Sequence, residues 1–319
     1  MNSRRPLSER VIAVRIDSRY AGKTVLQLLT GRFTYRDEAG WRECLQKGEL
    51  CLEGQKALPD DLLQPGMTLE YRPETLQEPE ADLHYSIVYE EPGFLVADKP
   101  GDLPVHPAGI FYAHTLWYLL TERYGAIYPV NRLDRETSGL LVVAKTPEYA
   151  AKLAESAMHK RYLALVFGKF RQEIDAKGTL VRDEASSVRR KRKFILNGTE
   201  GEFCRTLLAP EKIFESRTLV KAELFTGRMH QIRATLFSLG FPLVGDKLYG
   251  KDETFFIRRA KTGMLTEEDY RKLGMKRQAL HAAELAFQHP ETGKSLHFTS
   301  PLPSDFAGAL RQAENGRNF

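Results

Sequence analysis

A polar segment directly before a short, continuously apolar run places the tightest constraint on the fold of this chain. The polar segment is Asn131–Gly139, and the apolar run is Leu140–Ala144. A continuous apolar run of this length is typical of a strand that is buried on both faces of a sheet. We therefore expect the polar segment to form a turn at the rim of that sheet. A purely structural role is the alternative for its side chains, because Asp and Thr commonly hydrogen bond to the backbone within turns.

The length of 319 residues predicts two domains. Residues 1–75 are interpreted as a small α+β module, residues 76–84 as an acidic linker rich in Pro and Glu, and residues 85–319 as the larger domain. In the small module, apolar periodicity and turn residues predict helices at 24–30 and 38–47 and strands at 49–53 and 67–72.

The larger domain interleaves strands and helices irregularly, which indicates an α/β or α+β fold with a mixed sheet. The predicted helices are residues 115–124, 148–160 and 229–239, and the predicted strands are residues 86–89, 94–97, 140–144, 162–167 and 219–225.

Composition excludes several classes of protein. No apolar stretch approaches the length of about 18 residues that a membrane span needs. The N-terminus lacks the apolar core of a secretory signal. The cysteines Cys44, Cys51 and Cys204 are odd in number, and the histidines are scattered, so we expect neither a disulfide framework nor a metal site. A protein of the reducing cytoplasm fits these features best. No apolar stripe is left over, which favours a monomer.

Positive charge is concentrated at one point of the larger domain. The chain carries a net charge of +5, yet residues 189–193 are consecutive cations: Arg189, Arg190, Lys191, Arg192 and Lys193. Such a run repels itself unless water or an anion screens it. A solvated loop and a phosphate-contacting loop are both consistent with the sequence.

Six motifs in the larger domain resemble those of the RluA-type pseudouridine synthases, in the order expected for that family. The resemblance covers about residues 85–306 and centres on an Arg-Leu-Asp triplet followed by Thr-Ser-Gly. The motifs are DKPGDLPVHPAG (98–109), NRLDRETSGLLVVAK (131–145), KRYLALV (160–166), TGRMHQIR (226–233), GFPLVGDKLYG (240–250) and LHAAELAFQHPETG with PLPSDF (280–293 and 301–306). The module at 10–72 resembles the alpha-L RNA-binding motif.

The resemblance implies an α+β domain with a mixed, largely antiparallel sheet, flanking helices and a central RNA cleft. It implies that Asp134 is the catalytic carboxylate that isomerises uridine to pseudouridine in rRNA or tRNA, without cofactor or metal. Arg233 would be the cation paired with Asp134, and Tyr162 would pack against the base. Arg132 would fill the stack that a flipped-out uridine leaves. The remaining predicted RNA contacts are Asn131, His106, Lys160, Arg228, His230 and the run at 189–193.

The sequence departs from the family pattern at two positions, where Asn131 and Thr235 replace residues that are usually His. A protein that binds or remodels RNA without catalysis is the alternative function, because it would share the cationic surface and the aromatic residues. The carboxylate separates the two functions, since a pure binder has no use for Asp134 in a positive cleft, where it repels phosphate.

The charge run leads to a first prediction. Neutralising residues 189–193 should flatten the dependence of RNA affinity on salt, because fewer counterions are released when fewer phosphates are contacted. Filter binding over a series of salt concentrations measures the slope. A slope equal to that of the unaltered chain would identify the run as a solvated loop.

Overall fold

The computed structural model describes residues 11–33, 36–72 and 78–316 of the chain. The chain divides into two compact units: Met1–Pro79 with Ala108–Tyr112, and Glu80–Pro107 with Ala113–Phe319. The predicted linker at 76–84 lies partly outside the described residues, and the boundaries of the three predicted segments stay a prediction.

The smaller unit is a four-stranded antiparallel sheet with two helices and a common apolar core around Trp41. Thr24 and Gln27 form a capping box that starts the first helix, and Gly48 ends the second in a left-handed conformation. The sheet order is β1–β4–β2–β3. Its elements are β1 (Ile12–Arg15), α1 (Val25–Arg32), α2 (Glu38–Lys47), β2 (Leu50–Leu52), β3 (Gln55–Lys56) and β4 (Thr68–Tyr71).

The larger unit contains eleven strands and six helices among its described residues. No helix in the described part of the chain combines the length and apolarity needed to cross a membrane. The elements are β5 (Ser86–Glu90), β6 (Phe94–Lys99), α3 (Leu116–Tyr124), β7 (Tyr128–Pro129), β8 (Ser138–Ala144), α4 (Pro147–Glu155), β9 (His159–Phe167), β10 (Ile174–Arg182), β11 (Arg192–Leu196), β12 (Glu202–Ile213), β13 (Arg217–Leu224), α5 (Gln231–Ser238), α6 (Thr254–Thr262), α7 (Glu267–Leu273), β14 (Leu280–Gln288), β15 (Ser295–Thr299) and α8 (Ser304–Glu314).

The strands of the larger unit form one sheet in the order β11–β10–β12–β13–β9–β14–β8–β6–β5, with β15 paired to β14 and β7 paired to β8. The pair β8–β14 is parallel, and the other pairs described in this sheet are antiparallel. This architecture confirms the predicted α+β class with a mixed, largely antiparallel sheet and flanking helices.

Strand β8 is buried along its whole length, as its continuous apolar run predicts. Leu141 and Val143 pack into one apolar cluster, whereas Leu140 and Val142 pack into a second cluster on the other face of the sheet. Alternate residues therefore meet two different cores, which explains why no polar residue interrupts the run. The polar segment lies at the start of this strand: residues 131–137 precede β8, and Ser138 and Gly139 are its first two residues.

Two predicted helices are shorter in the structure. Helix α4 ends at Glu155 rather than at residue 160, because His159 and Lys160 already belong to β9 and pair with neighbouring strands. Helix α5 begins at Gln231 rather than at residue 229, because His230 has a left-handed backbone with φ of 58°. The structure thus places Lys160 on a strand and His230 at a helix entrance.

Gly139 gives a stability prediction at the crossing of β8 and β14. Its φ is 108°, and a Cβ built on it would lie 2.2 Å from the backbone oxygen of Ala282. Gly139→Ala should therefore lower the free energy of unfolding by about 2–4 kcal/mol, measured by urea denaturation. Gly227→Ala is the control, since a Cβ there meets nothing within 4 Å. Equal stability of the two variants would contradict the close approach of these backbones.

Candidate active site

Asp134 lies in the turn between β7 and β8. The side chain of Leu133 is buried and anchors the turn, and the N–H of Thr137 donates to the backbone oxygen of Asp134 over 3.1 Å. The structural reading of the segment predicts that the side chains of Asp134 and Thr137 bond to the backbone, whereas in the structure both side chains accept bonds from other side chains, Asp134 from Arg233 and Thr137 from Gln278. The Asp134 carboxylate itself remains 28% exposed and can be reached from solvent.

Arg233 binds two carboxylates at once. Its Nη1 donates to Asp134 Oδ2 over 2.7 Å, while its Nε and Nη2 donate to the two oxygens of Asp246 over 2.6 and 2.9 Å. The predicted ion pair of Arg233 with Asp134 is therefore present, and a second carboxylate holds the same guanidinium. Burial by itself raises the pKa of Asp134, but the charge and hydrogen bond of Arg233, together with His230 and Gln278, outweigh burial and hold that pKa below its usual range.

Asp246 is the residue that the sequence analysis missed. It is fully buried, and its Oδ1 also accepts the N–H groups of Leu248 and Tyr249, each over 2.9 Å. Burial raises its pKa, yet the bonds from Arg233 and these N–H groups bring the pKa below the usual value. The motif GFPLVGDKLYG contains Asp246, but nothing in the spacing of that motif links it to Arg233.

A second set of contacts braces the backbone of the same turn. The Lys99 Nζ, which is fully buried, donates to the backbone oxygen of Arg135 over 3.0 Å, and burial followed by the charge of Arg277 lowers the pKa of Lys99 to about 7. Glu136 accepts two bonds of 2.9 Å from Lys247 and pairs with Arg259. The turn is thus held through Arg135 and Glu136, the two residues that follow Asp134, and the Asp134 side chain stays partly exposed to solvent.

Tyr162 and Lys160 lie on one face of β9, because residues two apart on a strand point the same way. Tyr162 is 6% exposed, and burial together with the charge of Asp134 raises the pKa of its phenol. Burial lowers the pKa of Lys160. Lys160 also lines a cavity of about 270 Å³ together with Thr226 and Gly227 of the later motif.

Arg132 is exposed beside the turn, in keeping with its predicted contact with RNA. Burial and then the charge of Arg132 lower the pKa of His106, so these two predicted residues lie close together. Arg228 is exposed, and its Nε donates to the backbone oxygen of Phe203 over 3.2 Å. Asn131 has a structural role that the sequence analysis did not foresee, because its side-chain oxygen accepts the N–H of Val142 over 2.9 Å.

The five consecutive cations do not form one surface. Arg189, Arg190 and Lys193 are exposed, whereas Lys191 is 6% exposed and donates to Glu253 Oε2 over 2.7 Å. The inclusion of Lys191 among the RNA contacts is therefore corrected, since an internal carboxylate already neutralises its charge. The flatter salt dependence predicted for the run is expected from the exposed Arg189, Arg190 and Lys193, and Lys191→Gln serves as the matched control.

In the described ranges of the chain, no group of three or more His, Cys, Asp or Glu side chains is arranged to hold a metal ion.

Removing the shared guanidinium should affect both stability and activity. Arg233→Ala leaves Asp246 buried without its partner, and breaking a buried pair in this way costs about 3–5 kcal/mol. We expect a lower free energy of unfolding in urea and a loss of turnover. Arg228→Ala is the control for stability, because that side chain is exposed and should change the free energy by less than about 0.5 kcal/mol. Unchanged stability of Arg233→Ala would contradict the buried pairing.

Comparison with known proteins identifies the family. Residues 93–238 match the family described as RNA pseudouridylate synthase. The ribosomal large subunit pseudouridine synthase D of Xanthomonas campestris pv. campestris is 31% identical to this chain over 97% of the chain and 96% of its own length. The ribosomal large subunit pseudouridine synthase C of Pasteurella multocida is 32% identical over 85% of each chain.

A solved structure agrees with these relatives at the level of the fold. The human RNA pseudouridylate synthase domain containing 1 superposes with a TM-score of 0.53 at 24% identity, covering 71% of this chain and 87% of that chain. The sequence relatives, one of which aligns along 97% of the chain, show that the protein belongs to the RluA-type RNA pseudouridine synthase family and is an isomerase of that family.

Proposed function

We propose that this protein isomerises uridine to pseudouridine in the RNA of the large ribosomal subunit, with Asp134 as the catalytic carboxylate. The observation that carries the proposal is the placement of Asp134, which is accessible from solvent and yet bonded to a buried cation over 2.7 Å. Relatives named as synthases C and D of the large subunit match this chain comparably well. They support ribosomal RNA as the substrate in preference to tRNA.

The isomerisation makes specific demands on a carboxylate. The bond between N1 and C1′ breaks, a bond between C5 and C1′ forms, C5 loses a proton and N1 gains one, so no redox partner or group donor is consumed. Attack of Asp134 on C1′ and abstraction of a sugar proton by Asp134 both require the ionised form. Arg233 holds the pKa of Asp134 below its usual range against the effect of burial, which keeps the carboxylate ionised at neutral pH.

Access to the glycosidic bond requires that the uridine leave its stack, which costs a few kcal/mol. Arg132 is exposed beside the turn of Asp134, and its guanidinium plane is suited to stack in the vacated place. The charge of Arg132 lowers the pKa of His106, and His106 is proposed to contact the same stretch of RNA. The ring of Tyr162, which forms part of the apolar core under the site, is proposed to pack against the detached uracil.

The cation distribution supports RNA as the partner. Arg189, Arg190 and Arg228 are exposed, and Arg190 is close enough to the site to lower the pKa of His230. Their side chains are proposed to contact phosphates near the target. The alternative of a non-catalytic RNA binder does not explain an ionised carboxylate placed among these cations.

Release of tritium from RNA labelled at C5 of uridine tests the proposal. The wild-type protein should release tritium from unmodified large-subunit rRNA, and Asp134→Asn should abolish the release. This variant should keep its fold, because Arg233 retains both bonds to Asp246 when Asp134 is neutral. Its RNA affinity should stay within about twofold of wild type, since a carboxylate contributes no attraction to phosphate.

Asp175→Asn is the matched control, because Asp175 is a partly exposed carboxylate that pairs with Arg205 on a different part of the sheet. It should release tritium at the wild-type rate. Equal release from Asp134→Asn and wild type would exclude Asp134 as the catalytic group, and an unfolded Asp134→Asn protein would show that the carboxylate is structural.

A further inference from the structure

His230 has an unusual backbone for its residue type. It stands at the entrance of α5 with φ of 58° and ψ of 19°, in the left-handed region that costs a side-chain-bearing residue about 1 kcal/mol or more. Its side chain makes no capping bond to the helix. Strain of this kind persists where the surrounding structure holds a side chain in place for another purpose.

Tyr249 fixes which nitrogen of His230 carries the proton. The Tyr249 hydroxyl oxygen accepts the N–H of Arg192 over 2.8 Å and lies 3.1 Å from His230 Nδ1. Burial raises the pKa of Tyr249, so the phenol keeps its proton. His230 Nδ1 is the acceptor within reach of that proton among the described contacts, which leaves the imidazole proton on Nε2.

The imidazole is neutral as well as oriented. Burial and then the Arg233 charge lower its pKa to about 4, with Arg190 acting in the same direction, whereas Asp134 and Asp246 oppose the shift. The charges that shift the pKa of His230 are therefore two arginines and two aspartates. A neutral imidazole with its proton on Nε2 is a hydrogen-bond donor at that atom throughout the neutral range.

The Nε2 atom points toward Asp134 but does not reach it. The distance from His230 Nε2 to Asp134 Oδ1 is 3.9 Å, which exceeds a hydrogen bond. One oxygen atom can lie at about 2.8 Å from both atoms. That oxygen must accept from Nε2–H and donate to a carboxylate. A hydroxyl or a water molecule does both, whereas a uracil carbonyl oxygen has no proton to offer Asp134 and would be repelled. Among the groups of a bound uridine, a hydroxyl is therefore the one that fits.

We propose that His230 donates a hydrogen bond from Nε2 to the ribose 2′-hydroxyl of the target uridine, and that Tyr249 is the positioning residue that fixes this donor. The inference rests on the proposed function, because it takes Asp134 to work at the sugar. The 2′-hydroxyl is bonded to the carbon next to C1′, so a carboxylate placed at C1′ brings this hydroxyl within reach of His230. The contact makes His230 a determinant of ribose over deoxyribose at the modified position.

The series begins with the wild-type protein on unmodified large-subunit rRNA, in which the modified uridine is mapped, and continues with synthetic RNA stem-loops that carry that uridine. One stem-loop is all ribose, a second has 2′-deoxyuridine at the target, and a third has the 2′-deoxy substitution at the next nucleotide as the matched substrate control. Single-turnover rates and dissociation constants are measured for wild type, His230→Asn, His230→Gln and Tyr249→Phe. Asn tolerates a positive φ but is too short to replace Nε2, whereas the amide of Gln reaches as far as the imidazole.

Wild type should convert the ribose substrate about tenfold or more faster than the target-deoxy substrate, the effect of one unmade hydrogen bond. His230→Asn should lose about tenfold on the ribose substrate and show a ratio near one, with the dissociation constant unchanged. His230→Gln should recover part of the ratio. Tyr249→Phe should lower the rate without weakening binding, because the imidazole proton is no longer held on Nε2.

A wild-type ratio near one, or the same ratio in His230→Asn as in wild type, would overturn the assignment of His230. Absence of any turnover by wild type on unmodified large-subunit rRNA would instead overturn the proposed function. The two failures are thus distinguished by the first measurement of the series.

Discussion

The guanidinium of Arg233 is the interaction on which the rest of the site depends. It lies between Asp134, which is partly exposed to solvent, and Asp246, which is fully buried. The two carboxylates differ in what they receive: Asp246 accepts two bonds from Arg233 and two from backbone N–H groups, whereas Asp134 accepts one bond of 2.7 Å from Arg233 and one of 3.4 Å from the side-chain amide of Gln278. The pair with Asp246 therefore holds the guanidinium of Arg233 in place, and the charge of that guanidinium favours the ionised form of Asp134.

The sheet brings these groups together from distant parts of the chain. Asp134 lies in the turn before β8, and Arg233 lies on helix α5. Asp246 and Tyr249 lie in the segment before α6. The parallel contact of β8 with β14 tolerates the backbone approach only because Gly139 has no Cβ. A site assembled in this way is rigid, because each group is held by an element of the sheet or its flanking helices and by at least one further side chain.

Sequence patterns predicted the parts of this arrangement that local chemistry determines. The continuous run Leu140–Ala144 predicted a strand buried on both faces, and the family motifs predicted the pairing of Arg233 with Asp134. The anchoring role of Asp246 and the partly buried ion pair of Lys191 with Glu253 could not be predicted, since both depend on contacts between segments remote in sequence. The left-handed backbone of His230 was missed because apolar periodicity alone extends α5 across it.

The turn before β8 carries two carboxylates two positions apart with opposite tasks. The Asp134 side chain is partly exposed to solvent, whereas the Glu136 side chain pairs with Lys247 and Arg259. Within a single turn, the proposed catalytic residue and the residue that holds the turn in place are therefore different carboxylates. In a genetic screen, mutations in this turn should fall into two classes. Mutations at codon 134 should leave an inactive protein at normal abundance, whereas mutations at codon 136 should lower the abundance of the protein through proteolysis.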